Sequence, residues 1–272
     1  MSAVLTPTQA ATARRGLAIY LTVVVVLSAP LQIAVIRSHD DIADLLWISA
    51  LMLVPTLASV VARLVGREGF ADLGFRRGRD VRRHVVAAAL LPFGVGGVAY
   101  GVAWSTGLVG LRILPLGPWA ALLAAMLVLN LVVATGEELG WRGYMLGHMV
   151  DAGVPHPILV SSAVWGLWHV PLFLWGGLVH DGPSPVVTTV LMLVTTTAMG
   201  YVLGRMTLDT GHVWPAVALH VVWNTVIQAG FDPAVTGEGK ALWTGETGIL
   251  TVVVLVAVAV AYRRRPRSGR GS

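Results

Sequence analysis

An apolar run long enough to cross a bilayer recurs from one end of this chain to the other, and that recurrence limits the fold more than any other feature. A helix needs about 20 mostly apolar residues to span the hydrocarbon core. Eight segments meet or approach that length: Leu17–Ile36, Ala43–Val65, Val85–Trp104, Trp119–Met149, Pro155–Trp175, Val186–Leu208, Val213–Gly230 and Ile249–Tyr262. Only 12% of the residues are charged, about half the share usual in soluble domains, and no soluble-looking block separates the runs. The reading is all-α: a polytopic transmembrane helical bundle of about eight spans, forming a single integral membrane domain over residues 1–272. The last span is short. The fourth is overlong, because polar residues intrude on its second half. Pro55 and Pro92 fall inside spans, where packed membrane helices tolerate them.

Basic residues accumulate in cytoplasmic loops, and they orient the eight-span scheme. With the N-terminus inside, sixteen of the nineteen lie on the cytoplasmic side, among them Arg63, Arg67, Arg82, Arg83, Arg142, Arg205 and Arg263 to Arg265. Arg37, Arg112 and Lys240 remain on the other side, with Asp40, Asp41, Asp181, Asp232, Glu238 and Glu246. Both termini are therefore expected in the cytoplasm. The basic clusters sit beside apolar spans, so anionic lipid and topology account for the net charge of +5 and nucleic acid is not implied. The first span exceeds a usual signal-peptide core and is read as retained; residues 1–13 and 266–272 are read as disordered tails. The arginine-rich, alanine- and valine-rich composition suggests a bacterial source and hence the plasma membrane. There is no cysteine, which removes thiolate nucleophiles and cysteine-based zinc sites.

Ionisable groups inside a span cost about 2.5–3.5 kcal/mol each on insertion scales, so those that persist are paired or used. Three clusters stand out. In Gly136-Glu137-Glu138-Leu139-Gly140-Trp141-Arg142, Glu138 and Arg142 are four apart and share a helical face. Glu137 is turned about 100° away and lacks that partner. One carboxylate neutralised and one not is how a site separates two acid–base roles; the alternative is a capped helix end with an ordinary ion pair. In Trp165-Gly166-Leu167-Trp168-His169 the Trp165 ring and the imidazole stack on one face, although a lone His in an apolar helix is commonly a packing residue. In His220-Val221-Val222-Trp223-Asn224 the Asn is placed either to orient the imidazole or to donate with it to a substrate oxygen; interhelical hydrogen bonding is the plainer alternative.

Counted from the cytoplasmic helix ends, Glu137, His169, His220 and Asn224 fall roughly 10–21 Å into the membrane. Four polar groups from three helices thus converge near one depth, in a site expected to open to the cytoplasmic side.

These motifs resemble the CAAX protease and bacteriocin-processing family, which includes the Ras-converting prenyl endopeptidase and the Abi proteins. Its pattern is EExxxR, FxxxH and HxxxN or HxxxD on successive membrane helices. Here Glu137, Glu138 and Arg142 complete the first and His220 and Asn224 the third, while Trp165 replaces Phe beside His169. The run Asp72-Leu73-Gly74-Phe75-Arg76-Arg77 resembles a loop common before the family's core, and the likeness covers about residues 119–230. The resemblance implies an intramembrane glutamic endopeptidase that needs no metal. Glu137 and His169 would activate a water, His220 and Asn224 would hold the oxyanion, Glu138 and Arg142 would support them, and Trp165 and Trp141 would pack at the site. The substrate would be a membrane-associated or lipid-modified protein or peptide.

Three alternatives stay open. A zinc-dependent membrane protease would use Glu137, His169 and His220 as ligands, though no HExxH motif is present. A transporter would use the same groups as a proton or solute path. A non-catalytic scaffold would keep the fold alone. His39, His180 and His212 are read as solvated, and His148 and His156 as flanking the mouth of a loop.

Overall fold

The computed structural model describes residues 6–38, 40–70, 81–176 and 182–265. The run Asp72–Arg77, His39, His180 and the tail 266–272 lie outside the described residues. Among these residues ten α-helices carry the fold: α1 (Pro7–Arg37), α2 (Asp41–Gly66), α3 (Val81–Ser105), α4 (Leu116–Gly140), α5 (Leu146–Asp151), α6 (Pro157–Trp175), α7 (Pro185–Thr210), α8 (Trp214–Asn224), α9 (Lys240–Trp243) and α10 (Ile249–Arg264). A π-helical turn, Trp141–Met145, joins α4 to α5, and a second, Thr225–Phe231, extends α8. Two residues on each side, β1 (Gly110–Leu111) and β2 (Val235–Thr236), pair antiparallel.

Local signals set the ends. Thr6 caps α1 in a reciprocal box with Gln9, and Pro7 takes the first helical position, where its missing N–H costs nothing. The helix therefore starts well inside the segment 1–13 that the sequence suggested as a tail. Asp40 caps α2 by accepting from the Ala43 amide at 2.8 Å, and Gly211, with φ of 71°, ends α7 in the left-handed region that favours glycine.

Among the described residues six helices are long and apolar enough to cross a membrane: Pro7–Arg37, Asp41–Gly66, Val81–Ser105, the continuous Leu116–Asp151, Pro157–Trp175 and Pro185–Thr210. The seventh and eighth expected spans are helical but shorter. α8 has 11 residues before its 7-residue π-turn, and α10 has 16. Both pack on the bundle, α8 against α3 and α4, α10 against α7 and α3.

The burial pattern is that of a protein dissolved in lipid. Val25, Val26, Leu46, Leu64, Val128 and Val186 face outward, whereas the interior holds Arg63, Asn130, Glu137, Glu138, Arg142 and His220. Between helices in lipid there is no hydrophobic drive, so close approach of small residues supplies the packing. Gly140 lies against Pro55 and Gly136 against Leu53, which brings α4 onto α2; the Thr56 hydroxyl completes this contact by donating to the Gly136 carbonyl. Gly166 meets Thr196, and Gly200 meets Ser162 and the Arg142 guanidinium, bringing α7 onto α6 and the first π-turn.

Most of the described basic residues lie toward one end of this bundle. There Arg14 donates to the Ala152 carbonyl at 3.4 Å, and Glu68 at the end of α2 meets His148 of α5 at 3.0 Å. At the opposite end Arg112 donates to the Pro233 carbonyl and β1 pairs with β2. His212, expected in solvent, is buried.

Candidate active site

The first motif sits where α4 passes into its π-turn. Such a turn inserts one residue into the helix and re-aims the side chains that follow; π-turns are frequent at functional sites. Arg142, on the turn, donates through Nη1 to Glu138 Oε1 at 2.9 Å, with both side chains withdrawn from solvent. The same oxygen lies 2.8 Å from His220 Nδ1. Glu138 is thus shared between a guanidinium and an imidazole. The guanidinium also stands 4.3 Å over the Trp165 ring, a cation–π contact strengthened by the absence of water.

Glu137 points elsewhere. Its Oε2 accepts from Trp165 Nε1 at 2.8 Å and from Trp141 Nε1 at 3.3 Å. The Trp165 ring meets both imidazoles edge to face, with centroids 5.5 Å from His169 and 5.5 Å from His220. His169 Nδ1 lies 2.8 Å from the Trp165 carbonyl. A carbonyl only accepts, so Nδ1 carries the hydrogen and Nε2 keeps a free lone pair. His220 Nδ1 donates to Glu138 by the same argument. Asn224, one turn beyond, donates through Nδ2 to Asn130 Oδ1 at 3.4 Å. The imidazole of His220 is therefore oriented by Glu138, and Asn224 by Asn130.

Glu137, Trp165, His169, His220 and Asn224 line one cavity of about 640 Å³. Glu138, Arg142 and Trp141 stand behind this wall and pack it. The expected direction of opening is overturned. From the catalytic candidates the cavity runs past Ile48 near the start of α2 and Phe173 near the end of α6 to Lys240 and Glu246, which follow the second π-turn. That is the end away from most of the described arginines. Toward the arginine-bearing end Trp141, Tyr144, Met145 and Leu146 are at most 1% exposed and close the bundle.

Sequence reasoning missed three residues. Asn130 is buried and donates to Thr225 Oγ1 at 3.3 Å; its only signal was an amide alone in an apolar run. Asp232 and Glu246 served merely as markers of the outer side, yet the segment 232–248 folds back over the cavity. Tyr100 holds Asp232 through its hydroxyl, and Trp223 Nε1 donates to Glu246 at 2.9 Å. Both carboxylates lie beyond the spanning helices. Burial pushes Asp232 up to about 7, against the Tyr100 hydrogen bond and with the Glu246 charge adding to the rise. Burial also raises Glu246, opposed by hydrogen bonds from Gln228 and Trp223 and by the nearby His220. Among the described residues no three His, Asp or Glu side chains are placed to share a metal ion.

Residues 118–226 match the family described as type II CAAX prenyl endopeptidase Rce1-like. That stretch contains all three motifs, and the match bears out the resemblance read from them. It supports a CAAX-type membrane protease in general terms. No curated protein matches the chain significantly.

Proposed function

We propose that the chain is an intramembrane endopeptidase of the glutamic type, acting on a membrane-associated protein or peptide. The observation that carries this reading is the convergence of Glu137, His169, His220 and Asn224 from three helices on one cavity.

With Oε2 fixed by two indole donors, Glu137 has Oε1 to accept a proton from water, while His169 Nε2 takes the water's other hydrogen as a hydrogen bond. The water oxygen attacks the scissile carbonyl carbon as its proton passes to Glu137. Negative charge collects on the carbonyl oxygen, where fixed donors stabilise the transition state. Asn224 has a second Nδ2 hydrogen for this purpose, its first being committed to Asn130. His220 donates Nδ1–H to Glu138, so it donates from Nε2 as well only as an imidazolium, with Glu138 as its counter-charge. Glu137 then returns the proton to the departing amine as the C–N bond breaks. Glu138 and Arg142 hold His220 and Trp165 in place and touch no substrate.

The deciding experiment is cleavage of a peptide library by the purified protein in lipid, with and without Glu137→Gln. Cleavage that survives EDTA and o-phenanthroline and disappears in Glu137→Gln supports the proposal. Cleavage lost to chelators and restored by zinc, or retained in the variant, refutes it.

A further inference from the structure

We propose that the chain holds one anionic phospholipid in a second cavity, on the far side of the π-turn that walls the first. The proposal does not depend on the peptidase reading.

This second cavity has a volume of about 450 Å³, within the range of small-molecule sites. Phe93 and Trp104 of α3, Trp119 and Leu123 of α4, and Val226 and Phe231 of the second π-turn line it. Trp119 donates its indole N–H to the Ala229 carbonyl at 2.9 Å, which leaves that part of the wall without a free donor. Arg112 is the one charged side chain among those that line the cavity. It is exposed, and no carboxylate among the described residues pairs with it. Its position is fixed at two points. The Arg112 amide donates to the Ala234 carbonyl at 2.8 Å, and Nη2 donates to the Pro233 carbonyl at 2.7 Å. A guanidinium carries five N–H donors, so most remain for an anion.

Charge complementarity and depth select the occupant. An apolar wall with a single exposed cation matches an amphiphile whose anionic group adjoins a hydrocarbon chain. A free anion would leave the wall unfilled, and an uncharged lipid would leave Arg112 unmatched. Trp104 is the last residue but one of α3, and Trp119 lies in the first turn of α4. Tryptophans at helix ends mark the level of lipid headgroups, where a phosphate would stand beside Arg112. The acyl chain would then pass toward Phe93, about three turns deeper along α3.

The π-turn gives such a lipid a structural role. Val226, Gly230 and Phe231 line this cavity, whereas Asn224, Gln228 and Asp232 line the first. Phe231 also stacks on the Tyr100 ring at 4.8 Å, and Tyr100 holds Asp232. A chain packed on Phe231 braces the wall that follows Asn224.

The test is lipid binding to the delipidated full chain in detergent, read by native mass spectrometry and by thermal unfolding. Phosphatidylglycerol and phosphatidylcholine with the same acyl chains are compared. Wild type should bind one phosphatidylglycerol in preference to phosphatidylcholine and unfold at a higher temperature when it does. Arg112→Gln should weaken phosphatidylglycerol binding about tenfold, the loss expected of a hydrogen bond to a charged group, and erase the preference. Arg37→Gln, which removes an exposed arginine at the end of α1, should change neither. Leu123→Trp, which fills the cavity, should abolish binding of both lipids. Equal binding of the two lipids by wild type, equal losses in the two arginine variants, or undiminished binding by folded Leu123→Trp overturns the proposal. If Leu123→Trp does not fold, the arginine pair decides. A thermal shift of the same size from inorganic phosphate would make Arg112 a plain anion site and overturn the lipid.

Discussion

Arg142→Met isolates the buried pair on which the site's geometry depends. Arg142 and Glu138 meet at 2.9 Å with side chains 1% and 0% exposed, so deleting the guanidinium leaves a carboxylate in the bundle interior. Removing one partner of a buried ion pair costs about 3–5 kcal/mol. Loss of the cation–π contact with Trp165 adds to that, by up to about 2 kcal/mol for a desolvated pair, while His220 at 2.8 Å still shares the charge and offsets part of it. The net expectation is about 3–4 kcal/mol of destabilisation. In Glu138→Gln with Arg142→Met the amide oxygen still accepts from His220 Nδ1, and no charge is stranded. The double variant should therefore be more stable than Arg142→Met alone, with a coupling energy of about 2 kcal/mol. Unfolding in mixed micelles by SDS titration reads both quantities. A single-variant cost below about 1 kcal/mol, the level of an exposed pair, or additive effects would refute the buried network.

Three further perturbations probe other parts of the site. Trp165→Phe restores the aromatic of the family pattern but removes an indole donor from Glu137; a hydrogen bond to a charged group is worth about 1.5–3 kcal/mol. Peptide cleavage should lose kcat by about tenfold or more with KM little changed, and an unaltered kcat would show that Trp141 alone suffices. Gly140→Ala drives a methyl into the Pro55 backbone and should cost about 1–3 kcal/mol by overpacking, whereas Gly147→Ala, with nothing within 4 Å, should not; equal thermal stability of the two would contradict the close crossing of α2 and α4. Asp232 binds its proton more tightly in the folded protein, with a value near 7 against 3.8, so the folded state holds more protons across that window and stability falls as pH rises from 4 to 7. Asp232→Asn should flatten that dependence in thermal unfolding across the same range, and an unchanged slope would mean that the carboxyl is solvated.

The helices were legible because lipid leaves a strong imprint on sequence: a long apolar run can satisfy its backbone only as a helix. Seven of the expected segments fall within a few residues of the observed helical ones, and the tenth helix begins at the expected Ile249. What did not show was where regular turns give way to wider ones. Neither π-turn has a compositional mark, and the second cuts α8 to 11 residues. The pairing of Glu138 with Arg142 was readable from their spacing. Its sharing with His220, 82 residues away, was not, because tertiary contact between helices leaves no periodic trace in one sequence.

Neighbouring positions on one helix explain why two adjacent carboxylates end in opposite surroundings. A step of one residue rotates a side chain by about 100°, enough to carry Glu138 into the closed side of the bundle and Glu137 onto the cavity wall. On the closed side every charge must be matched, and Glu138 meets Arg142 and His220 there. On the open side a carboxylate needs only enough hydrogen bonding to be held, and two indoles supply it at a single oxygen. The same asymmetry sets the direction of the cavity. The end that carries most of the described arginines is closed by buried ion pairs, so the pairing that holds Glu138 also leaves Glu137 as the carboxylate on the accessible wall.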